Sequence, residues 1–154
     1  MEHQPLRHLQ EEYEDIAQRA ADMLLRGFSD IERVILYGST AKGMAGPDSD
    51  IDLMVTYRGT PSEVNDHEFR RRVIELLTTN KIPIGNHSKG QDNGGKIAVS
   101  TIAEEVYQHP DLYISPRNLD FLILLQNIGD TGRELKRSKG KLTHVLTFTR
   151  SLFN

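Results

Sequence analysis

Two aspartates one residue apart are the clearest candidates for chemistry in this sequence. Asp50 and Asp52 open a predicted strand, so their side chains are expected on the same side of the backbone. Two carboxylates that converge on a rigid strand repel each other unless a cation lies between them, and Mg²⁺ prefers such oxygen ligands. We therefore predict that Asp50 and Asp52 bind Mg²⁺.

A Gly-Ser pair lies ten residues upstream of the aspartates. Gly38 and Ser39 follow an apolar run that begins at Val34 and precede a short polar stretch. Backbone N–H groups at the start of a helix favour phosphate, so Gly38 and Ser39 are predicted to bind the phosphates of a nucleotide. Lys42 could reach a phosphate too, although a solvent-facing lysine explains it as well or better. A phosphate-binding turn and a pair of metal-binding carboxylates are together the minimum needed to bind a nucleoside triphosphate.

The pattern of apolar residues places these candidates on alternating helices and strands. Apolar residues at helical spacing predict a packing helix from Leu6 to Phe28. The remaining predicted elements are strands at Ile31–Tyr37 and Asp50–Tyr57, a helical turn at Ser39–Gly43, a helix capped by Thr60 and ending near Thr79, a strand at Lys96–Ile102, a short helix capped by Thr101 and ending at Tyr107, a strand at Leu112–Ile114, and a helix from Ser115-Pro116 through Leu125 with Gly129 as terminator.

The segment from Asn80 to Gly95 is rich in glycine and polar residues. Long loops of this composition are uncommon inside compact domains and are either functional or mobile. We favour a mobile hairpin tip over a loop that grips substrate. A basic tract from Arg133 to Lys141 then precedes the apolar segment 142–153.

Length and composition describe an ordinary soluble domain. The chain has 154 residues, with 37% hydrophobic and 27% charged residues and a net charge of −3, which gives no case for non-specific nucleic-acid binding. It contains no cysteine, so disulfides and thiolate metal sites are excluded. The N-terminus has no signal pattern, and no apolar run approaches the ~20 residues of a membrane span. We expect a single cytoplasmic domain over residues 1–154.

The combination of Gly38-Ser39 with Asp50-Ile51-Asp52 resembles the DNA polymerase β-type nucleotidyltransferase superfamily, and more narrowly its minimal, antitoxin-like members. The resemblance is carried by residues 33–57, which supply a strand, the Gly-Ser pair, a short loop and a second strand with both aspartates. It implies an α/β (α+β) fold with a small mixed β-sheet flanked by helices. It also implies that Gly38 and Ser39 bind the triphosphate and that Asp50 and Asp52 ligate Mg²⁺ and are catalytic.

The family carries a further acid on a later strand, and this sequence does not place it. The strand predicted at Lys96–Ile102 contains no acid. Asp111 is the best substitute because it precedes Leu112-Tyr113-Ile114, and Asp92 and Glu104 are weaker candidates.

The resemblance predicts transfer of a nucleoside monophosphate, with AMP from ATP as the favoured case, to an acceptor hydroxyl. A tyrosine of a HEPN-type toxin is an attractive acceptor, because minimal members often act as antitoxins in toxin-antitoxin pairs. Two alternatives stay open. One is a small-molecule acceptor, as in aminoglycoside-modifying relatives, and the other is a catalytically degenerate module that binds nucleotide or neutralises a partner by contact.

Overall fold

The computed structural model describes residues 3–85 and 93–138, and within them six helices and four strands follow one another along the chain. Their order is α1 (His3–Gly27), β1 (Ile31–Tyr37), α2 (Gly38–Ala41), β2 (Ile51–Tyr57), α3 (Glu63–Thr79), β3 (Ile97–Ala103), α4 (Glu104–Gln108), α5 (Pro110–Tyr113), α6 (Leu119–Thr131) and β4 (Arg133–Glu134). In this part of the chain no helix is both long and apolar enough to span a bilayer.

The four strands form one mixed sheet in the order β3-β2-β1-β4. β1 is antiparallel to both β2 and β4, whereas β2 and β3 are parallel. The expectation of a small mixed sheet flanked by helices is therefore confirmed. The central strands β1 and β2 are almost wholly buried because helices cover both of their faces.

Different helices cover the two faces of the sheet. Tyr57 stacks on Phe69 of α3 with ring centroids 4.5 Å apart, and Phe69 also contacts Phe28, directly after α1. On the opposite face, a Cβ on Gly132, at the end of α6, would lie 3.1 Å from Ile35. Because side chains alternate along a strand and paired residues share a face, Asp52 lies on the α6 side of the sheet.

Helix α3 begins two residues later than the sequence pattern predicts. Ser62, not Thr60, is the N-cap, and its hydroxyl accepts a hydrogen bond from the Asn65 N–H at 3.0 Å. Thr60 instead offers its carbonyl to the Asn65 side chain. Val64, in the first turn of α3, is 76% exposed.

The region after β3 departs most from the prediction. The strand expected at Leu112–Ile114 is wrong, because Pro110 occupies the first turn of α5, where its fixed φ and missing N–H are tolerated. The predicted cap Thr101 lies within β3 and donates its hydroxyl to the Asp66 carbonyl. Helix α4 therefore starts without a side-chain cap.

Helix α6 is displaced along the sequence relative to the predicted helix. It starts after Asn118, whose side chain accepts from the Phe121 N–H, rather than at Ser115-Pro116. It runs through Gly129 and ends at Thr131 with Gly132 as the C-cap. A Cβ on Gly132 would lie 2.4 Å from the Ile128 carbonyl oxygen, so Gly132 is the terminating glycine.

Candidate functional site

A left-handed glycine joins β1 to the short helix α2. Gly38 has φ +77°, a conformation that side chains with a Cβ rarely adopt. A Cβ at this position would lie 2.5 Å from Oδ2 of Asp52. Glycine is therefore required twice, for the turn and for the close approach of the backbone to the carboxylate.

Both predicted aspartates lie beside this turn. Asp52 is the second residue of β2 and pairs with Tyr37, directly before Gly38. Asp50 precedes the strand, which begins at Ile51 rather than at Asp50, and its carbonyl accepts a hydrogen bond from the buried Thr40 of α2. The fold thus brings Gly38, Asp50 and Asp52 together at one end of the central strands.

The two carboxylates interact electrostatically. Burial and the negative charge of Asp50 raise the pKa of Asp52 to about 6. An acid whose pKa is raised in this way is destabilised in its charged form, and a bound cation would relieve the repulsion. The pair is therefore suited to a divalent metal with oxygen ligands.

Tyr37 is a site residue that the sequence pattern did not reveal. Burial and the charge of Asp52 raise its pKa to about 12, while a hydrogen bond with Ser100 opposes the shift. Because β2 separates β1 from β3, the Tyr37 side chain extends across β2 beside Asp52 to reach Ser100. Tyr37 ends an apolar run, so its sequence context indicated only a buried strand residue.

Thr131 is a second unpredicted residue. The Gly38 N–H, expected to be available for phosphate, donates to the Thr131 hydroxyl at 2.9 Å. That hydroxyl in turn donates to the Asn127 carbonyl at 2.7 Å. The two partners are 93 residues apart, so no local pattern could have revealed the contact. Ser39 is half-buried beside this hydrogen bond, and Lys42 is exposed.

The loop between α2 and β2 is held from two sides. The Gln10 amide of α1 donates to the Thr40 carbonyl and accepts from the Ala45 N–H, at 2.7 and 2.9 Å. From the other side, a Cβ on Gly94 would lie 1.9 Å from the Pro47 carbonyl oxygen, so only glycine fits there. Part of the glycine-rich segment therefore packs against the loop that leads into Asp50, whereas its centre, residues 86–92, lies outside the described residues.

The further acid is not found in the part of the chain that the structure describes. Across residues 3–85 and 93–138, no cluster of three or more His, Cys, Asp or Glu side chains could hold a metal ion. Ala98, in register with Asp52 on β3, occupies the neighbouring position in the sheet. Glu104 forms a salt bridge with Arg33 at 2.9 Å, Asp111 is exposed on α5, and Asp92 lies outside the described residues.

Comparison with known proteins identifies one family. The model of the nucleotidyltransferase domain matches residues 17–123, which include both aspartates and the Gly-Ser pair. A crystal structure described as a toxin-antitoxin with AMP-PNP is similar to the chain with a TM-score of 0.43 and 15% identity, covering 80% of this chain and 74% of the other. No curated protein matches the chain.

Proposed function

Because this chain belongs to the nucleotidyltransferase domain family, we propose that it transfers a nucleoside monophosphate from a triphosphate to an acceptor hydroxyl in a Mg²⁺-dependent reaction. The favoured donor is ATP and the transferred group AMP. Asp50 and Asp52 hold the metal and are catalytic, and Gly38 and Ser39 bind the nucleotide phosphates. The observation that carries this proposal is the packing of the Gly38 backbone against Asp52.

The donor set fits Mg²⁺. Asp50 and Asp52 offer two carboxylate ligands, and burial together with the charge of Asp50 raises the pKa of Asp52. When bound, Mg²⁺ neutralises phosphate charge and aligns the reacting groups. The chain's own contribution is to hold the Asp52 carboxylate next to Gly38, where the backbone can approach a phosphate without an intervening side chain.

For the acceptor we propose a tyrosine of a partner protein, specifically a HEPN-type toxin. The support is the sequence resemblance of residues 33–57 to minimal, antitoxin-like nucleotidyltransferases. A small-molecule hydroxyl is the enzymatic alternative. The two acceptors differ in size, so they are distinguished by where the label is found after the reaction.

The test is transfer from ATP labelled at the α-phosphate, with Mg²⁺, to a HEPN-type protein or to an aminoglycoside. Asp50→Asn combined with Asp52→Asn is expected to reduce transfer at least a hundredfold, since both metal ligands lose their charge. Asp48→Asn is the matched control because Asp48 is an exposed acid in the same loop. Transfer that survives the double change would exclude the proposed site.

A specific observation favours a second candidate function, a non-catalytic module that binds nucleotide. The residues described contain no third acid or histidine positioned with Asp50 and Asp52 to complete a metal site. Such a module would bind Mg²⁺ and ATP through the same residues but would label no acceptor. Calorimetric binding of Mg·ATP that is lost in the Asp50→Asn, Asp52→Asn variant, with no transfer in wild type, would support this reading.

A further inference from the structure

A groove runs along the sheet beside Asp52. Its floor is formed by Met54 and Ser100, which pair with each other on β2 and β3. Both lie on the same face of the sheet as Asp52, because side chains two residues apart along a strand point the same way. The floor therefore begins ~7 Å along the strands from Asp52. Ser100 also hydrogen-bonds with Tyr37, which lies beside Asp52.

Helices α3 and α6 form the walls of this groove. Phe121 and Leu124 of α6 line one side. On the other side α3 follows the outer edge of β3, where the Arg70 guanidinium donates to the Val99 carbonyl at 2.9 Å. The cavity between these walls has a volume of about 390 Å³, which is within the range of ligand-binding clefts.

A second cavity continues the groove towards α5. It has a volume of about 410 Å³ and shares Glu63, Asp66 and Phe121 with the first cavity, so the two are continuous. Its apolar lining residues include Ile102, Val106, Tyr113 and Ile114. We name the two cavities together the β3–α6 groove.

The groove and the proposed phosphate site lie on opposite sides of Asp52. β1 and β3 flank β2 in the sheet; Gly38 and Ser39 follow β1, whereas Ser100 belongs to β3. In the transfer reaction the attacking and leaving oxygens lie roughly in line through the phosphorus. With the leaving pyrophosphate on the β1 side, the attacking hydroxyl must approach from the β3 side, where the groove lies.

The sheet surface between the groove and Asp52 is open. Ala98, in register with Asp52 on β3, is half-buried although its side chain is a single methyl group. Ser100 is half-buried too, whereas Ile97 and Val99, on the other face of β3, are buried. Helix α6 therefore leaves this part of β3 uncovered, and an acceptor hydroxyl can reach Asp52 along it.

The lining of the groove fits a peptide segment. Apolar side chains line both cavities, and two acids, Glu63 and Asp66, lie where the cavities join. Glu63 is exposed, whereas the Asp66 carboxylate accepts a hydrogen bond from the Tyr57 hydroxyl. An extended peptide fills consecutive cavities with successive side chains and pairs a basic residue with such acids. A polyhydroxylated aminoglycoside has little apolar surface to place in either cavity.

We propose that the β3–α6 groove binds the acceptor as an extended, tyrosine-bearing segment of the partner protein. The tyrosine lies on Met54 and Ser100 beside Asp52, and a large apolar side chain of the segment fills the second cavity. A lysine or arginine of the segment lies beside Glu63 and Asp66.

The groove then delivers the tyrosine hydroxyl for in-line attack. The tyrosine oxygen bonds to the α-phosphorus of ATP, the bond from that phosphorus to the bridging oxygen breaks, pyrophosphate leaves, and the hydroxyl proton passes to solvent. This inference rests on the proposed function and deepens it by stating how the acceptor is recognised.

Charge reversal where the cavities join tests the groove, with α-labelled ATP as donor and the HEPN-type protein as acceptor. Glu63→Lys is expected to raise the KM for the protein acceptor about fivefold, because it repels the basic residue of the segment. The kcat should stay within about twofold and Mg·ATP affinity should not change. Glu105→Lys is the matched control, an exposed acid in the first turn of α4 that does not line the groove, and should leave all three quantities unchanged.

Thiol protection provides a second measurement that does not depend on catalysis. The chain has no native cysteine, so Tyr113→Cys places a single thiol in the second cavity. A saturating concentration of the HEPN-type protein should slow its reaction with N-phenylmaleimide about threefold or more, because the bound segment covers it. Glu12→Cys, exposed on α1, should react at the same rate with and without that protein.

The outcomes separate this inference from the proposed function. Transfer with an unchanged KM in Glu63→Lys and an unprotected thiol at position 113 would overturn the groove and leave the proposed function standing. Thiol protection without any transfer by wild type would support docking and contradict nucleotide transfer. Loss of Mg·ATP affinity in Glu63→Lys would assign the groove to the nucleotide and overturn the inference.

Discussion

At the scale of single residues, two glycines share a left-handed backbone and differ in what surrounds them. Gly38 and Gly43 both have φ +77°. A Cβ on Gly38 would collide with Asp52, whereas a Cβ on Gly43 would meet no atom within 4 Å. The pair therefore separates the effect of backbone strain from the effect of crowding the carboxylate.

We expect Gly43→Ala to lower the free energy of unfolding by about 1 kcal/mol through backbone strain alone. Gly38→Ala should lower it by about 2 kcal/mol or more and also weaken Mg·ATP binding at least tenfold, because Asp52 must move. Urea denaturation and calorimetry measure the two quantities. Equal binding by both variants would show that the approach of Gly38 to Asp52 is irrelevant to the site.

The raised pKa of Asp52 makes stability depend on pH. The folded chain holds this proton more tightly than the unfolded chain, whose pKa is near the ordinary 3.8. The stability that this group contributes is therefore complete below pH 3.8 and is lost as the pH rises through about 6. Removing the Asp52 carboxylate should therefore stabilise the metal-free protein only at pH values above its pKa.

In metal-free buffer at pH 8, Asp52→Asn is expected to raise the free energy of unfolding by about 1 to 2 kcal/mol, after allowance for solvent screening. Near pH 4 the difference should nearly vanish. Urea denaturation at the two pH values measures it, with Asp48→Asn as the exposed control. A gain that is the same at both values would rule out titration of Asp52 as the cause.

At the scale of elements, the end of α6 interacts directly with the predicted phosphate site. The Thr131 hydroxyl accepts the Gly38 N–H, the donor that the sequence assigns to phosphate. A phosphate oxygen and this hydroxyl therefore compete for one hydrogen. The geometry makes α6 part of the site although its sequence carries no recognisable motif.

Thr131→Val keeps the shape of the side chain and removes the competing oxygen. We expect it to tighten ATP binding about fivefold, the equivalent of about 1 kcal/mol for one hydrogen bond. Thr131→Ser retains the hydroxyl and should bind like wild type. Weaker binding by Thr131→Val in calorimetry would indicate instead that Thr131 orients Gly38 for the ligand.

At the scale of the whole molecule, one aromatic residue joins three elements. Phe69 of α3 contacts Tyr57 at the end of β2 and Phe28 after α1, with ring centroids 4.5 and 5.5 Å away. These contacts hold α1 and α3 on the face of the sheet opposite Asp52.

Phe69→Ala is therefore expected to lower the free energy of unfolding by about 3 to 5 kcal/mol, the usual range for a buried phenylalanine. Val64→Ala, on the same helix at a 76% exposed position, should change it by less than about 0.5 kcal/mol. Urea denaturation measures both. Similar losses in the two variants would mean that the Phe28–Phe69–Tyr57 cluster does not hold the fold together.

The sequence by itself determined the elements whose signals are local. Strand β1 has the predicted bounds, Ile31–Tyr37, and α1 follows its apolar periodicity closely. The order of Gly38, Asp50 and Asp52 along the chain also sufficed to predict their proximity, because the antiparallel pairing of β1 with β2 brings the end of the first strand beside the start of the second.

Tertiary structure decided the features that depend on residues distant in sequence. The hydrogen bond of Gly38 with Thr131 joins the turn after β1 to the end of α6, and that of Tyr37 with Ser100 reaches across β2. No periodicity or motif in the sequence encodes either contact. The region 104–131 was predicted least well. Glu104, which the capping pattern assigned to the start of a helix, forms a salt bridge with Arg33 of β1, and Pro110 starts a helix where a strand was expected. Which helix or strand forms in this region depends on packing against the assembled sheet, and a local sequence pattern carries no information about that packing.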